Sequence, residues 1–208
     1  GTVAVRNVSA EFPSCGMVAI IGTSGCGKST LLNLLSNNDI QSKGQRLYNG
    51  KDYLEYERAV LLKDFAIVHQ DFKLIENLTV YQNIKIGYEL SNNVIDNDFI
   101  LQAAKKLDIE NILDEKVYSL SGGQQQRVAI ARAVVRQPKV IFADEPTGNL
   151  DSLNSENVYS ILKELSKEIL VVIVSHDIEV SNFADRIIEM DNGKILRDCS
   201  IEDYKQIQ

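Results

Sequence analysis

The stretch Gly22-Thr23-Ser24-Gly25-Cys26-Gly27-Lys28-Ser29-Thr30 fits the pattern G-x-x-x-x-G-K-[ST] and limits the possible folds more than any other part of the chain. The apolar run Val18 to Ile21 precedes it, and Leu31, Leu32, Leu34 and Leu35 follow at helical spacing. That is strand, glycine loop and helix, the setting in which this loop binds phosphate. The glycines let backbone N–H groups turn toward an anion without side-chain clashes. The start of the helix adds its free N–H groups and the positive end of its dipole. Lys28 supplies a full positive charge for the outer phosphates, and the Ser29 hydroxyl suits Mg²⁺. The competing reading is a glycine-rich turn with a surface lysine.

The 208 residues favour one domain with an ample core. A net charge of −7 argues against a general nucleic-acid binder, which would show a basic surface. No apolar run approaches the ~20 residues of a membrane-spanning helix. The cysteines Cys15, Cys26 and Cys199 lack metal-ligand spacing and form no even set. A cytoplasmic chain is expected, brought to a membrane only by a partner.

Residues 3–8 and 17–21 read as strands. Asn49-Gly50 and Asn192-Gly193 read as two-residue hairpin turns. Residues 53–63 have a helical pattern, and Phe65 to His69 form a short strand that ends on Gln70. Residues 71–118 change texture, with Ile100, Ala103, Ala104 and Leu107 at helical spacing. They read as a helical subdomain inserted between two halves of an α/β core. Ser121-Gly122-Gly123 precedes another helix, which Pro138 closes. Val140 to Ala143 is an apolar run of the kind buried on both faces of a parallel sheet. It leads into Asp144-Glu145. The strand Leu170 to Val174 leads into Ser175-His176. Strands alternating with helices give an α/β fold with a mostly parallel sheet. In such sheets ligands bind beyond the carboxyl ends of the strands. Gln70, Asp144, Glu145 and His176 are therefore expected beside the glycine loop.

These residues suggest a division of labour. Asp144 is expected to hold Mg²⁺ together with Ser29. Glu145 is placed to orient or deprotonate an attacking water. His176 could hydrogen-bond the outer phosphate, and Gln70 could ligate Mg²⁺ or bind that water. His69 points to the other side of its strand and reads as structural. Ser121 to Gln124 offers a second helix start suited to an anion. One nucleotide needs only one such loop, so a second makes sense if it serves a nucleotide held by another subunit.

The order glycine loop, Gln70, Leu120-Ser-Gly-Gly-Gln-Gln-Gln-Arg127, Asp144-Glu145, Asn149-Leu150-Asp151, His176 resembles the nucleotide-binding domain of ABC transporters over essentially the whole chain. The resemblance implies a P-loop NTPase core with a mostly parallel sheet, an N-terminal antiparallel β part and an inserted helical subdomain. It makes 1–208 a single domain. Residues 1–70 and 128–208 form the RecA-like core and 71–127 the helical subdomain. It also implies an ATPase that uses ATP and Mg²⁺. Gly22 to Thr30 look like the Walker A motif and Gln70 like the Q-loop glutamine. Ser121, Gly122, Gly123 and Gln124 look like the signature that closes on the ATP of an opposite subunit. Asp144 looks like the Walker B aspartate, Glu145 like the catalytic glutamate, Asp151 like the D-loop aspartate and His176 like the switch histidine. Two copies, or one copy and a second ATP-binding subunit, would dimerise head to tail and drive a membrane permease from the inner face of the cell membrane. No nucleic acid is expected as partner.

Thr147 to Asp151, with Leu78-Thr79-Val80 after Gln70, is similar to the branch that includes lipoprotein-release, macrolide and antimicrobial-peptide export and cell-division ATPases. The alternative is a non-transport member of the DNA-repair or translation type, but those carry coiled-coil insertions, zinc motifs or tandem cassettes that do not fit in this chain. The family usually stacks an aromatic residue on adenine well upstream of the P-loop. This chain starts too late to hold it, and Phe12 lies only ten residues before Gly22. Nucleotide binding weaker by ~1–3 kcal/mol is therefore expected, by analogy with stacked nucleic-acid bases. Cys26 stands where serine is commoner. Alkylation of its thiol is expected, because Lys28 and the helix start favour the thiolate. Phe72, Leu74, Ile75 and Leu78 form either a socket for a permease helix or the small core of the helical subdomain.

Overall fold

The structure, a computed structural model, describes residues 3–89 and 97–207. Residues 90–96, inside the helical stretch expected over 71–127, lie outside the described residues. Strand β1 (Gly16–Ile21) runs into the glycine loop and helix α1 (Lys28–Leu35). A hairpin of β2 (Leu47–Tyr48) and β3 (Lys51–Asp52) follows, then a 3-10 turn (Tyr53–Glu55), helix α2 (Arg58–Asp64) and strand β4 (Phe65–His69). Three helices come next: α3 (Val80–Glu89), α4 (Asn97–Lys106) and α5 (Gly122–Val134). The chain returns to the sheet through β5 (Val140–Asp144), α6 (Ser152–Leu165), β6 (Leu170–Ser175), β7 (Arg186–Asp191) and β8 (Lys194–Ser200), and then forms α7 (Ile201–Ile207).

The main sheet has the order β4-β5-β6-β1-β7-β8. Its first five strands are parallel, and β8 is antiparallel to β7. Successive side chains of a strand face opposite sides, so each buried strand feeds two cores. Met17, Ala19, Ile21, Ile141, Ala143, Val171 and Ile173 face the layer of α3, α4, α5 and α6. Val18, Ile20, Val140, Phe142, Val172 and Val174 face α1, α2 and the Tyr53 turn. This explains why those strands read as unbroken apolar runs. Both expected hairpins form. Asn49 and Gly50 have φ of 50° and 76°, and Asn192 and Gly193 have 47° and 77°. Positive φ at both central residues is the turn whose twist matches the flanking strands.

Two sequence readings change. Residues 3–8 are not a strand. Arg6 N–H donates to Gly193 O at 2.7 Å, but Asn7 turns left-handed at φ 49°, which breaks the extended run. Antiparallel pairing is instead carried by β2–β3 and β7–β8. The helical pattern over 53–63 splits into the 3-10 turn and α2, because the Asp52 carboxylate caps the Leu54 N–H at 2.9 Å and Tyr56 turns extended.

Asp185 fixes how β7 meets β1. Its carboxylate accepts from Met17 N–H at 2.8 Å and pairs with Lys163 on α6. Burial pushes this carboxyl up, but the Lys163 ammonium and the Met17 N–H outweigh it and hold the group below its usual 3.8. A depressed carboxyl contributes stability above the unfolded value and loses it as pH falls through the folded one. Asp185→Asn is therefore expected to lower the melting temperature at pH 7. The difference from the parent protein should vanish as pH falls below 3.8 toward the folded-state value. Melts of both proteins across pH check this; a gap that persists at the acid end would contradict it.

Candidate active site

Register brings the site residues together. Ile21 pairs with Ser175, Asp144 with Val174, and His69 with Asp144. Four parallel strands thus end level, and the next residues, Gly22, Gln70, Glu145 and His176, emerge along one edge. Ser24, Gly25, Gly27, Lys28, Ser29, Thr30, Gln70, Glu145 and His176 line a single cavity of about 400 Å³ there.

The loop itself is shaped by steric necessity. Gly22 has φ 153°, and a Cβ on it would collide with the Met190 carbonyl. Gly27, at φ 106°, would collide with the Ala4 carbonyl. Gly27 caps α1 without a side-chain hydrogen bond, and no acid occupies the first turn. The helix start therefore keeps free N–H groups for an anion. The Lys28 ammonium is held by the carbonyls of Gly22 and Thr23 at 2.8 and 3.0 Å, which aims it along the loop. Cys26 faces the other way. It is 5% exposed in the core beneath the loop, so the thiol is a packing group and the expected alkylation is not supported. Phe12 packs against that same core under Arg186 and does not line the cavity.

The Ser29 hydroxyl donates to Asp144 Oδ1 at 3.0 Å. Two hard oxygen groups side by side suit Mg²⁺, which takes one or two protein oxygens and completes its shell with phosphate and water. Among the described residues no group of three or more His, Cys, Asp or Glu side chains could hold a metal. Ser29 and Asp144 would supply two oxygens to a metal ion here, and bound phosphate would supply others. The donor set fits that use.

Glu145 adopts a left-handed backbone at φ 48°, locked by its N–H on Val174 O at 2.9 Å and its carbonyl on Gly148 N at 3.1 Å. Such strain in a non-glycine residue persists only where neighbours over-determine it. His176 Nδ1 lies 2.8 Å from Glu145 Oε2, and its backbone N–H donates to the same oxygen at 3.3 Å. The histidine expected to face the phosphate is therefore also the direct partner of Glu145. Burial pushes the His69 imidazole below its usual 6.5, against the raising effect of Asp71 and Asp144.

The second cluster lies apart. Ser121 and Gln124 line a different hollow with Asp108, Asn111, Arg127 and Asn154. Ser121 Oγ accepts from Gln124 N at 3.3 Å, and Gln124 Oε1 accepts from Ser121 N at 2.9 Å, a capping box. Gln124 is thereby a cap as well as a candidate ligand. A Cβ on Gly123 would collide with Asn154 Oδ1, and one on Gly122 would touch Leu150 at 3.3 Å. Asp151 caps α6 through Asn154 N at 2.9 Å. The Asn154 backbone and side-chain N–H groups hold its carboxyl below the usual 3.8. Asp151 therefore belongs with the Ser121 cluster.

Sequence reasoning read Gly148 and Asn149 only as marks of a family branch and missed their contact with Gln70. Asn149 Nδ2 donates to Gln70 O at 3.0 Å, and a Cβ on Gly148 would press on Gln70 Nε2 at 2.7 Å. A glycine between two polar residues just after the acidic pair was the available signal. Of the apolar residues after Gln70, Leu74 packs on the main core, whereas Ile75 is 48% exposed.

Comparison with known proteins agrees with this geometry. The family model described as "ABC transporter" matches residues 5–148. An uncharacterized ABC transporter ATP-binding protein of Methanocaldococcus jannaschii (MJ1508) is 41% identical over 94% of this chain and 90% of its own length. The macrolide export ATP-binding/permease protein MacB of Haemophilus ducreyi is 35% identical over 96% of this chain, which spans only 30% of that longer protein. Among solved structures, the ATP-binding cassette MJ0796 in a dimeric post-hydrolysis state with ADP and Pi has TM-score 0.85 and 33% identity, covering 96% of this chain and 91% of that one. CbiO1 of Clostridium perfringens, part of the cbiONQ transporter complex, has TM-score 0.89 and 30% identity, covering 98% and 84%. With a P-loop, a strand-end acid pair and a capped Ser-Gly-Gly helix in this order and geometry, the chain belongs to the ABC transporter family and is an ATP-binding, ATP-hydrolysing domain of it.

Proposed function

We propose that this domain hydrolyses ATP at a site shared between two copies, or between this chain and a second ATP-binding subunit, and that the resulting opening and closing drives a membrane permease. Residues 1–70 and 128–208 act as the nucleotide-binding core and 71–127 as the arm that carries the Ser121 cap. The observation that carries this reading is the separation of two anion-suited helix starts in one chain: Lys28 and Ser29 line one cavity, Ser121 and Gln124 another. Head-to-tail pairing lets the second complete the first.

Gly22 to Thr30 hold the phosphate chain, with Lys28 on the outer phosphates. Ser29 and Asp144, with Gln70 beside them, would hold Mg²⁺, which supplies charge neutralisation on the phosphates. Glu145 orients the attacking water and takes its proton. His176 fixes the Glu145 carboxylate through Nδ1 and turns its remaining edge toward the outer phosphate. From the partner copy, the Ser121 hydroxyl and the N–H groups of Gly122 and Gly123 meet the phosphate from the other side, near Asp151. Among the described residues no helix is long and apolar enough to cross a membrane. The family's link to permeases supports attachment at the inner face of the membrane through one. The exposed Ile75, with Phe72 and Leu78, offers a contact for it. Similarity to MacB favours an export-type or force-transmitting partner.

At low dimer occupancy the ATPase rate is expected to rise with about the square of protein concentration, because two copies build each site. Steady-state rates over a dilution series test this. A rate strictly proportional to concentration down to the lowest measurable level would argue for a complete site within one chain.

A further inference from the structure

The turn after Gln70 is strained in a way found nowhere else among the described residues. Phe72 and Lys73 are consecutive and both left-handed, at φ 56° and 50°. Every other described non-glycine residue with positive φ is Asn, Asp, Gln or Glu. Asn and Asp tolerate that backbone best; an aromatic residue and a lysine are poorly suited to it. Local bonds are few. Phe72 N–H reaches His69 O at 3.2 Å and Lys73 N–H reaches Asp71 O at 2.5 Å. The Lys73–Asp71 ion pair is exposed and holds little.

A clamp from a distant element compensates. Arg132, on α5, donates Nη2 to Phe72 O at 2.8 Å and Nη1 to Lys73 O at 2.6 Å. The planar fork spans two successive carbonyls, which an ammonium cannot reproduce. Helix α3 makes room for it. A Cβ on Gly87 would collide with the Arg132 carbonyl and lie 2.7 Å from its Cγ. On either side of the clamp the segment is also pinned. Asn149 holds Gln70 O at 3.0 Å, and the buried Asn83 bonds both the N–H and the carbonyl of Ile75 at 2.9 and 3.1 Å. Burial pushes the Arg132 guanidinium below the ordinary arginine value, a desolvation cost that makes the two carbonyl partners necessary.

We propose that Arg132 is a positioning residue for Gln70: by holding the carbonyls of Phe72 and Lys73 it keeps the following turn left-handed and so sets where the Gln70 side chain lies over the phosphate loop. The inference rests on the role given to Gln70 above. Because Arg132 and the Ser121 cap share one helix, the position of that helix is also imposed on Gln70.

A double-mutant cycle on the full chain tests it. Arg132→Lys keeps the charge and loses the fork. It is expected to lower kcat ~10-fold with KM for ATP changed less than ~3-fold, since small misplacements act on the reacting geometry rather than on binding. Combined with Gln70→Ala, it should cost no more than Gln70→Ala alone, the signature of residues acting as one unit. Lys73→Gly should leave the parent kcat unchanged and restore most of it in the Arg132→Lys background, because glycine takes positive φ without strain. If Arg132→Lys does not fold, as judged by circular dichroism, Arg132→Gln, which keeps a polar end but cannot span both carbonyls, takes its place and should give the same pattern. Additive losses, absent glycine rescue, or a folded variant with unchanged kcat would overturn the proposal. Should Gln70→Ala itself leave kcat unchanged, the role of Gln70 falls and the clamp's function with it. An effect of Gln70→Ala without one from Arg132→Lys removes the clamp alone.

Discussion

Glu145→Gln is expected to lower kcat by about 10³-fold while ATP stays bound, within the range for loss of a positioned base. Gln keeps the length of Glu and one oxygen that can accept from His176, but it takes no proton from water. Its left-handed backbone should persist, since it is set by Val174 and Gly148 rather than by the carboxylate. Binding and closure would survive while the chemical step fails, so the variant should accumulate as an ATP-bound dimer. Single-turnover hydrolysis and size-exclusion chromatography with ATP check this. A variant that still turns over at more than about a tenth of the parent rate would remove Glu145 from the role, because positioned bases contribute at least ~10²-fold.

The second large effect is expected at Gly22. Gly22→Ala places a Cβ against the Met190 carbonyl and 2.9 Å from Cys26 Sγ, at φ 153°. Backbone cannot yield as a flexible side chain does. The loop must therefore leave the β7–β8 turn, whose Gly193 N–H holds Cys26 O at 2.8 Å. A cost of ~2–4 kcal/mol is expected, combining backbone strain with overpacking. ATP affinity should fall by more than ~10²-fold, because the phosphate-facing N–H groups lose their common orientation. Gly25→Ala is the contrast. Its φ is 79°, but nothing lies within 4 Å of the added Cβ, so it carries only the ~1–2 kcal/mol of left-handed strain. Calorimetric ATP titration and thermal melts of the two variants compare the cases. Equal losses would mean that conformation alone, and not the Met190 contact, makes glycine necessary.

The comparison of Gly22 with Gly25 shows how far the sequence carries. The motif calls for glycine at certain positions, but which carbonyl forbids a side chain depends on where β7 ends. Phe65–His69, Val140–Asp144 and both Asn-Gly hairpins were readable because their signals are local: period, apolar runs and positive-φ residues. Residues 3–8 misled because their pattern does not show that Asn7 turns left-handed, which breaks the run although Arg6 reaches Gly193. Cys26 misled for a related reason. Its neighbours in sequence are glycines and then Ser24 and Lys28, yet its neighbours in space are the sheet core.

For this protein the sequence determined the phosphate loop, the acid pair, the signature helix and the α/β order, since each depends on residue types a few positions apart. The tertiary structure alone decided that strand register levels Gly22, Gln70, Glu145 and His176 on one edge, that His176 pairs with Glu145, and that Arg132 grips the turn sixty residues earlier. Those are contacts between distant segments. Side-chain chemistry allows them, but only the packing of helices and sheet selects them. The loop from Gly22 to Thr30 thus fixes what is bound, and the fold fixes which groups surround it.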